Sequence, residues 1–175
     1  MGKIIFGFLL CIFSTISLSS NNDKCSGYQK YTLSVFEKND ITFLSKNCVI
    51  DPQTQYVKNF FELQKEKIFI NKLYGRIGNG SGVELKAVSI YRKSKEPILI
   101  TLYTENYCCY PQPSGILYTV ELHKITKKDK KIFLKSITNI LGDNSSGLEG
   151  VSDDYLHYEL KNISLIKEWL DKNYY

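Results

Sequence analysis

Between residues 28 and 160 the apolar positions fall into short runs rich in aromatic and β-branched side chains, broken by turn residues, which is the pattern of strands. Residues 28–36 (YQKYTLSVF) read as the first strand. Residues 67–74, 83–92, 98–104, 116–125 and 132–135 follow, and 155–160 reads as the last. Within 116–125, Ile116, Tyr118, Val120 and Leu122 share one face, while Thr119, Glu121 and His123 take the other. Leu156, Tyr158 and Leu160 likewise share a face, which leaves His157 beside Tyr155 and Glu159.

Three stretches predict helices instead. Asp51-Pro52 places an N-cap carboxylate before a proline at the first helical position. Tyr56, Val57, Phe60 and Phe61 then recur at helical spacing, which predicts a helix near residues 52–65. Ser136, followed by Ile137, Ile140 and Leu141 with Gly142 as a stop, predicts a short capped helix. Residues 143–153 read as a loop. Asn162 opens a closing helix whose Leu165, Ile166, Trp169 and Leu170 form one apolar face. Short links between successive strands favour a mainly antiparallel sheet, with the 52–65 helix and the C-terminal helix packed on one face. The expected class is α+β, stabilised by disulfides.

The N-terminus adds a compartment. Met1-Gly2-Lys3 is a short basic start, and residues 4–18 form an apolar run ending in small residues, the layout of a secretory signal peptide. The run is shorter than the ~20 apolar residues that cross a bilayer. Cleavage is expected after Ser19 or Ser20. Cys11 follows Leu10 rather than the small residue of a lipoprotein signal, so it is expected to leave with the peptide. Residues 1–20 are thus read as signal and 21–175 as one globular domain, periplasmic or extracellular, without a transmembrane segment. Such a domain, roughly 155 residues long, buries about 68–70% of its unfolded surface.

Export decides how the cysteines are read. Cys25, Cys48, Cys108 and Cys109 make an even set, expected as two disulfides with three pairings open. Neighbouring side chains of an extended strand point to opposite faces. Cys108 and Cys109 are therefore expected to reach different partners, in crossed bridges that tie the Cys25–Cys48 segment to the middle of the chain.

Charge narrows the partners. Lys and Arg number 23 against 18 Asp and Glu, for a net charge of +5. That excess is too small to imply a polyanionic partner. Arg76 and Arg92 are the only arginines, and nucleic-acid readers lean on the bidentate arginine fork, so no nucleic acid is expected. The lysine-rich run 124–135 reads as a charged hairpin turn.

Candidate chemistry is sparse. The glycine-rich loop at 75–82 lies between two strands and lacks the strand-to-helix setting of a phosphate cradle, so it reads as a hairpin tip. His123 and His157 lie on the polar sides of their strands and read as surface residues. No H-E-x-x-H, C-x-x-C or calcium-loop pattern occurs, so neither metal nor cofactor is expected. Glu149, Asp153, Asp154 and Glu159 cluster near the last strand and read as solvated. Asn79, Asn144 and Asn162 open glycosylation triplets, which matter only in a eukaryotic host.

Tyrosine is the unusual component. There are 13, and Tyr103, Tyr107, Tyr110 and Tyr118 crowd the segment holding Cys108, Cys109, Pro111 and Pro113. Tyrosine is enriched at binding surfaces, and a loop pinned by bridges and prolines is preorganised, which favours binding. The four tyrosines are therefore the candidate binding residues. The expected function is an exported, non-enzymatic binding domain acting by contact with a protein partner. This make-up (export signal, one small disulfide-bearing α+β domain, no catalytic constellation) resembles that of periplasmic immunity proteins, and implies an immunity or inhibitor role. The alternatives are a small secreted hydrolase using Asp153 or Asp154 with His157, and a secreted effector or surface factor.

Overall fold

The strand-forming runs pair into two antiparallel sheets. The computed structural model describes residues 24–63, 66–75, 82–108, 113–129 and 131–174. The first sheet contains β1 (Lys24–Cys25), β2 (Gln29–Leu33), β3 (Ile41–Asp51), β4 (Thr54–Leu63) and β5 (Glu66–Tyr74). Its order is β1-β3-β4-β5, and β2 continues β1 along the same edge of β3. The second contains β6 (Glu84–Tyr91), β7 (Ile98–Tyr107), β8 (Ser114–Lys128), β9 (Lys131–Ser136), β10 (Ser146–Val151) and β11 (Tyr155–Leu156). Its order is β11-β10-β8-β7-β6. The 15-residue β8 pairs with β10 through its first half and with β9 through its second.

The second sheet is the middle of three layers. Its strand β7 reads Ile98-Leu99-Ile100-Thr101-Leu102-Tyr103, and all six are fully buried. Alternation explains how both faces are covered. Ile98, Ile100, Leu102, Val120 and Leu122 pack against Leu141 and against Ile166 and Leu170 of the closing helix, α1 (Ile163–Asn173). Leu99, Tyr103 and Ile125 instead face Ile41, Phe43, Val57 and Phe61 of the first sheet. The helix at the C-terminus is therefore as expected. Asn162 caps it, its side chain accepting the Leu165 N–H at 3.0 Å.

The helix expected near 52–65 is corrected to strand over Thr54–Leu63, after a turn at Pro52 and Gln53; residues 64 and 65 lie outside the described residues. Asp51 accepts the Gln53 N–H on Oδ1 at 2.8 Å and shapes the β3–β4 hairpin turn instead of capping a helix. The doublets Tyr56-Val57 and Phe60-Phe61 mimic helical spacing because this strand carries apolar residues on both faces. Val57, Asn59 and Phe61 point to the second sheet, and Tyr56, Lys58 and Phe60 point away.

Two further stretches differ from expectation. Residues 138–145 form a 3₁₀ segment, and Ser136 does not cap it through its side chain, although Gly142 does break it at φ 54°. The expected loop 143–153 contains β10. That strand meets β8 at the paired glycines Gly115 and Gly150, where a Cβ on either would come within about 2.2 Å of the opposing backbone. Of the expected last strand only Tyr155–Leu156 is extended in the sheet. Among the described residues no helix is long and apolar enough to cross a membrane.

Candidate functional site

The four candidate tyrosines do not share a surface. Tyr103 is fully buried between the sheets, whereas Tyr118, 5% exposed, lies on the opposite face of the same sheet and stacks on Tyr158 at 5.6 Å. Tyr107 is half-buried at the end of β7, and Tyr110 lies outside the described residues. The crossed disulfides are also corrected. The β1–β3 register sets Cys25 directly opposite Cys48, with Cα atoms 4.0 Å apart, and the two are bonded to each other. Cys108 is disulfide-bonded too, to a partner outside the described residues, where Cys109 also lies. The signal sequence and most of the glycine-rich loop, residues 76–81, fall outside them as well.

Tyr103 belongs to a polar joint inside the molecule. Ser45, Asn59 and Asn71 stand side by side across β3, β4 and β5 on the face turned to the second sheet. Asn59 Nδ2 donates to Asn71 Oδ1 at 2.8 Å and to Tyr103 Oη at 2.7 Å, and Asn71 Nδ2 donates to Tyr103 Oη at 3.0 Å. Asn71 Nδ2 also donates to Glu121 Oε2. Burial raises the Glu121 carboxyl above the ordinary range, partly offset by that hydrogen bond. Burial and the nearby Glu121 charge push the Tyr103 hydroxyl up, so it stays neutral. His123 is corrected from surface to interior. It is 7% exposed, and burial lowers its pKa, which favours the neutral ring. Ser45, Asn59, Tyr103 and His123 are buried between the two sheets, which suits a structural joint better than a reaction site open to substrate.

His157 finds a different carboxylate from the ones expected. Its Nδ1 lies 3.2 Å from Glu149 Oε1, and the ring is largely exposed. Glu149 also accepts from Lys161 Nζ at 2.9 Å, Tyr155 Oη at 3.0 Å and the Tyr158 N–H at 2.8 Å. These donors, Lys161 foremost, hold its carboxyl down at about 2. Asp153 and Asp154 are exposed. A carboxylate engaged four ways ties β10 to the segment leading into α1. A cleft of about 730 Å³ beside the C-terminal end of α1 is charged, and two of its lysines are paired with its carboxylates. There Lys93 pairs with Asp171 at 2.5 Å and Lys124 with Glu96 at 3.1 Å. Among the described residues no group of three or more His, Cys, Asp or Glu could hold a metal.

The unusual surface is the outer face of the first sheet. Register sorts it into rows that run across the strands. One row is Cys25, Cys48, Tyr56 and Tyr74, and another is Leu44, Phe60 and Phe69. Between them runs a row of three lysines: Lys46 opposite Lys58, and Lys58 opposite Lys72. No carboxylate stands in any of these three rows; Glu62 comes one row further out, opposite Lys67. Like charges directly opposite across a sheet repel one another.

The lysines are held over aromatic rings. Lys72 Nζ lies 3.7 Å and Lys58 Nζ 5.2 Å from the centroid of Tyr56, and Lys72 is also 4.4 Å from that of Tyr74. Lys67 and Lys46 lie 4.4 and 5.1 Å from the ring of Tyr28, which precedes β2. Tyr28 meets Phe60 edge-on at 6.0 Å, and Phe60 meets Phe69 at 5.6 Å. Tyr56 is fully covered, whereas Phe69 is 54% and Tyr74 47% exposed. A basic, aromatic platform lies on this face, and neither core cluster of the described residues includes it. No protein family, curated protein or solved structure matches the chain.

The sequence reading missed this platform because its residues come from three strands and the segment before β2. The available signal was the alternation of lysine and aromatic side chains in QYVKNFF and KIFINKLY. The false helix at 52–65 hid it.

Proposed function

We propose that the chain is an exported binding module that acts by protein–protein contact, docking the outer face of its first sheet on an acidic surface of a partner protein. The observation that carries this reading is the cross-strand row Lys46–Lys58–Lys72 between two aromatic rows. Carboxylates on a partner complement such a row, and complementary charge steers encounter and fixes register. Exposed rings at Phe69 and Tyr74 supply the apolar contact that anchors an interface. A protein partner fits better than a nucleic acid, because the cations are lysines without the arginine fork that reads bases. The signal-like N-terminus and the disulfide between Cys25 and Cys48 support an oxidising compartment. An immunity or inhibitor role, in which the module covers another exported protein, is the biological form of this reading.

The test uses the exported chain and its Lys46→Glu/Lys58→Glu/Lys72→Glu variant. Binding is measured by calorimetry to poly-L-glutamate, to a single-stranded oligonucleotide and to phosphatidylglycerol vesicles. The expected result is binding of the acidic polypeptide by the unaltered chain and its loss in the variant. Equal binding of poly-L-glutamate by both, or preference for the oligonucleotide or the vesicles, would refute the reading.

A further inference from the structure

The open edge of the middle layer borders a groove. β6 bonds to β7 alone and is the last strand of the second sheet. Beside it lies a groove of about 480 Å³, lined by Ser89 and Ile90 of β6, Leu33 of β2, and Lys167 and Asp171 of α1. Leu33 and Ile90 pack with the core between the sheets, whereas α1 packs on the other face of β6 at Tyr91. The groove thus straddles the edge of the middle layer, with the first sheet on one side and the helix on the other. We infer that it receives an extended acidic segment of a partner protein, added as a strand to the open edge of β6. This is a second surface, independent of the outer face of the first sheet.

The physical argument begins with the backbone. An edge strand turns the N–H and C=O of every second residue outward, where an extended chain can pair with them. Bulges and charges blunt such edges. In β6 a bulge lies between Leu85 and Ala87, with Glu84 and Lys86 exposed beside it. Residues 88–91 keep a regular register with β7, carry no charge and offer about 13 Å of strand. Charge then sets the sign of the guest. Asp171 is already engaged by Tyr91 Oη at 2.9 Å and Lys93 Nζ at 2.5 Å. Lys167, half-buried one turn earlier in α1, and Arg92 line the same groove. Among the described residues neither is ion-paired. Side chains of an added strand alternate between its two faces. Those on the α1 side meet Lys167, and those on the other meet Leu33 and Ile90. A segment that alternates acidic and apolar residues therefore matches the groove, with affinity from backbone pairing and specificity from the side chains.

The probe is the capped peptide Val-Glu-Val-Glu-Val-Thr, with two further forms of it, one N-methylated on its valines and one on its glutamates. Calorimetry gives affinities for the exported chain, and amide hydrogen exchange reports on β6. In a strand added to one edge, only alternate N–H groups face the sheet. One N-methylated form is therefore expected to bind at least roughly tenfold more weakly than the parent, and the other within about twofold of it. Alternate amides within residues 88–91 should exchange more slowly in the complex. Lys167→Glu and Arg92→Glu, each confirmed as folded by its melt, are expected to weaken binding at least roughly tenfold. The charge-matched Lys135→Glu, exposed on β9, should not. Equal binding of the two N-methylated forms, or glutarate binding as tightly as the peptide, would make the groove a plain anion site and overturn strand addition. Absence of binding, or binding indifferent to both Lys167→Glu and Arg92→Glu, overturns the groove as a site. Neither result touches the docking face of the first sheet, which its own lysine variant decides.

Discussion

Replacing Lys46 by glutamate reverses one charge of the lysine row. It converts the like-charged cross-strand pair with Lys58 into an opposite-charged one. Lys46→Gln removes the same ammonium from the Tyr28 ring without adding a carboxylate, so the two variants differ chiefly in the new pair. A cross-strand pair of opposite charge contributes roughly 0.2–1 kcal/mol, and solvent screening moves it to the lower part of that range. Lys46→Glu is therefore expected to melt roughly 1–2 °C above Lys46→Gln for a domain of this size. Circular dichroism melts at low ionic strength should show the difference. It should shrink in about 1 M salt, where the Debye length falls to ~3 Å. Lys46→Glu should also weaken poly-L-glutamate binding more than Lys46→Gln does. If Lys46→Glu melts below Lys46→Gln at low salt, the cross-strand pairing of these charges is refuted and the argument fails.

Three other predictions concern the interior and the β10 hub. Tyr103→Phe leaves the buried Asn59 and Asn71 amides short of an acceptor and should destabilise by about 1–3 kcal/mol in urea unfolding; a loss under about 0.5 kcal/mol would deny the joint its role. Glu121 has a folded pKa raised by burial above its ordinary 4.5, so its contribution is greatest below that value and declines as pH rises through the raised one. Glu121→Gln should therefore flatten the fall in stability on the alkaline side of 4.5 and melt higher at neutral pH, whereas a steeper fall would contradict the assignment. Glu149, held down at about 2 chiefly by Lys161, has the opposite sign. Its contribution is present above the unfolded value of 4.5 and disappears as pH falls toward 2, so Glu149→Gln should melt lower at neutral pH and converge with the unaltered chain in acid.

The parts of the fold legible in the sequence are those where one physical demand dominates. Residues 98–104 and 116–125 read as strands because their apolar side chains fill the middle layer of the molecule. Asn162 reads as a cap because its side chain has one local task. Thr54–Leu63 reads as helix because two superposed alternations, one per face, give the same doublets as a helix. The Ser/Gly-rich stretch around β10 reads as loop, yet it pairs with β8 because its glycines permit close approach of the backbones. Register was the missing information for the site. Tyr103 and Tyr118 are near in sequence but face opposite layers, while Lys46, Lys58 and Lys72 are distant in sequence and meet on one face.

The same three strands carry a polar row on each face, and the difference between the rows bears on function. On the inner face Ser45, Asn59 and Asn71 stand beside the lysines of the outer one, each a chain neighbour of Lys46, Lys58 and Lys72 respectively. Polar residues between two sheets are unfavourable unless hydrogen-bonded, and the second sheet answers with Tyr103 and Glu121. The outer row sets lysines opposite one another, and the neighbouring rows place rings beside their ammonium groups. Rings can hold ammonium groups in place, but they cannot neutralise them. The inner row is thus answered in part by the chain itself, at Asn59 and Asn71, and the docking proposed above would bring an acidic surface to the outer one.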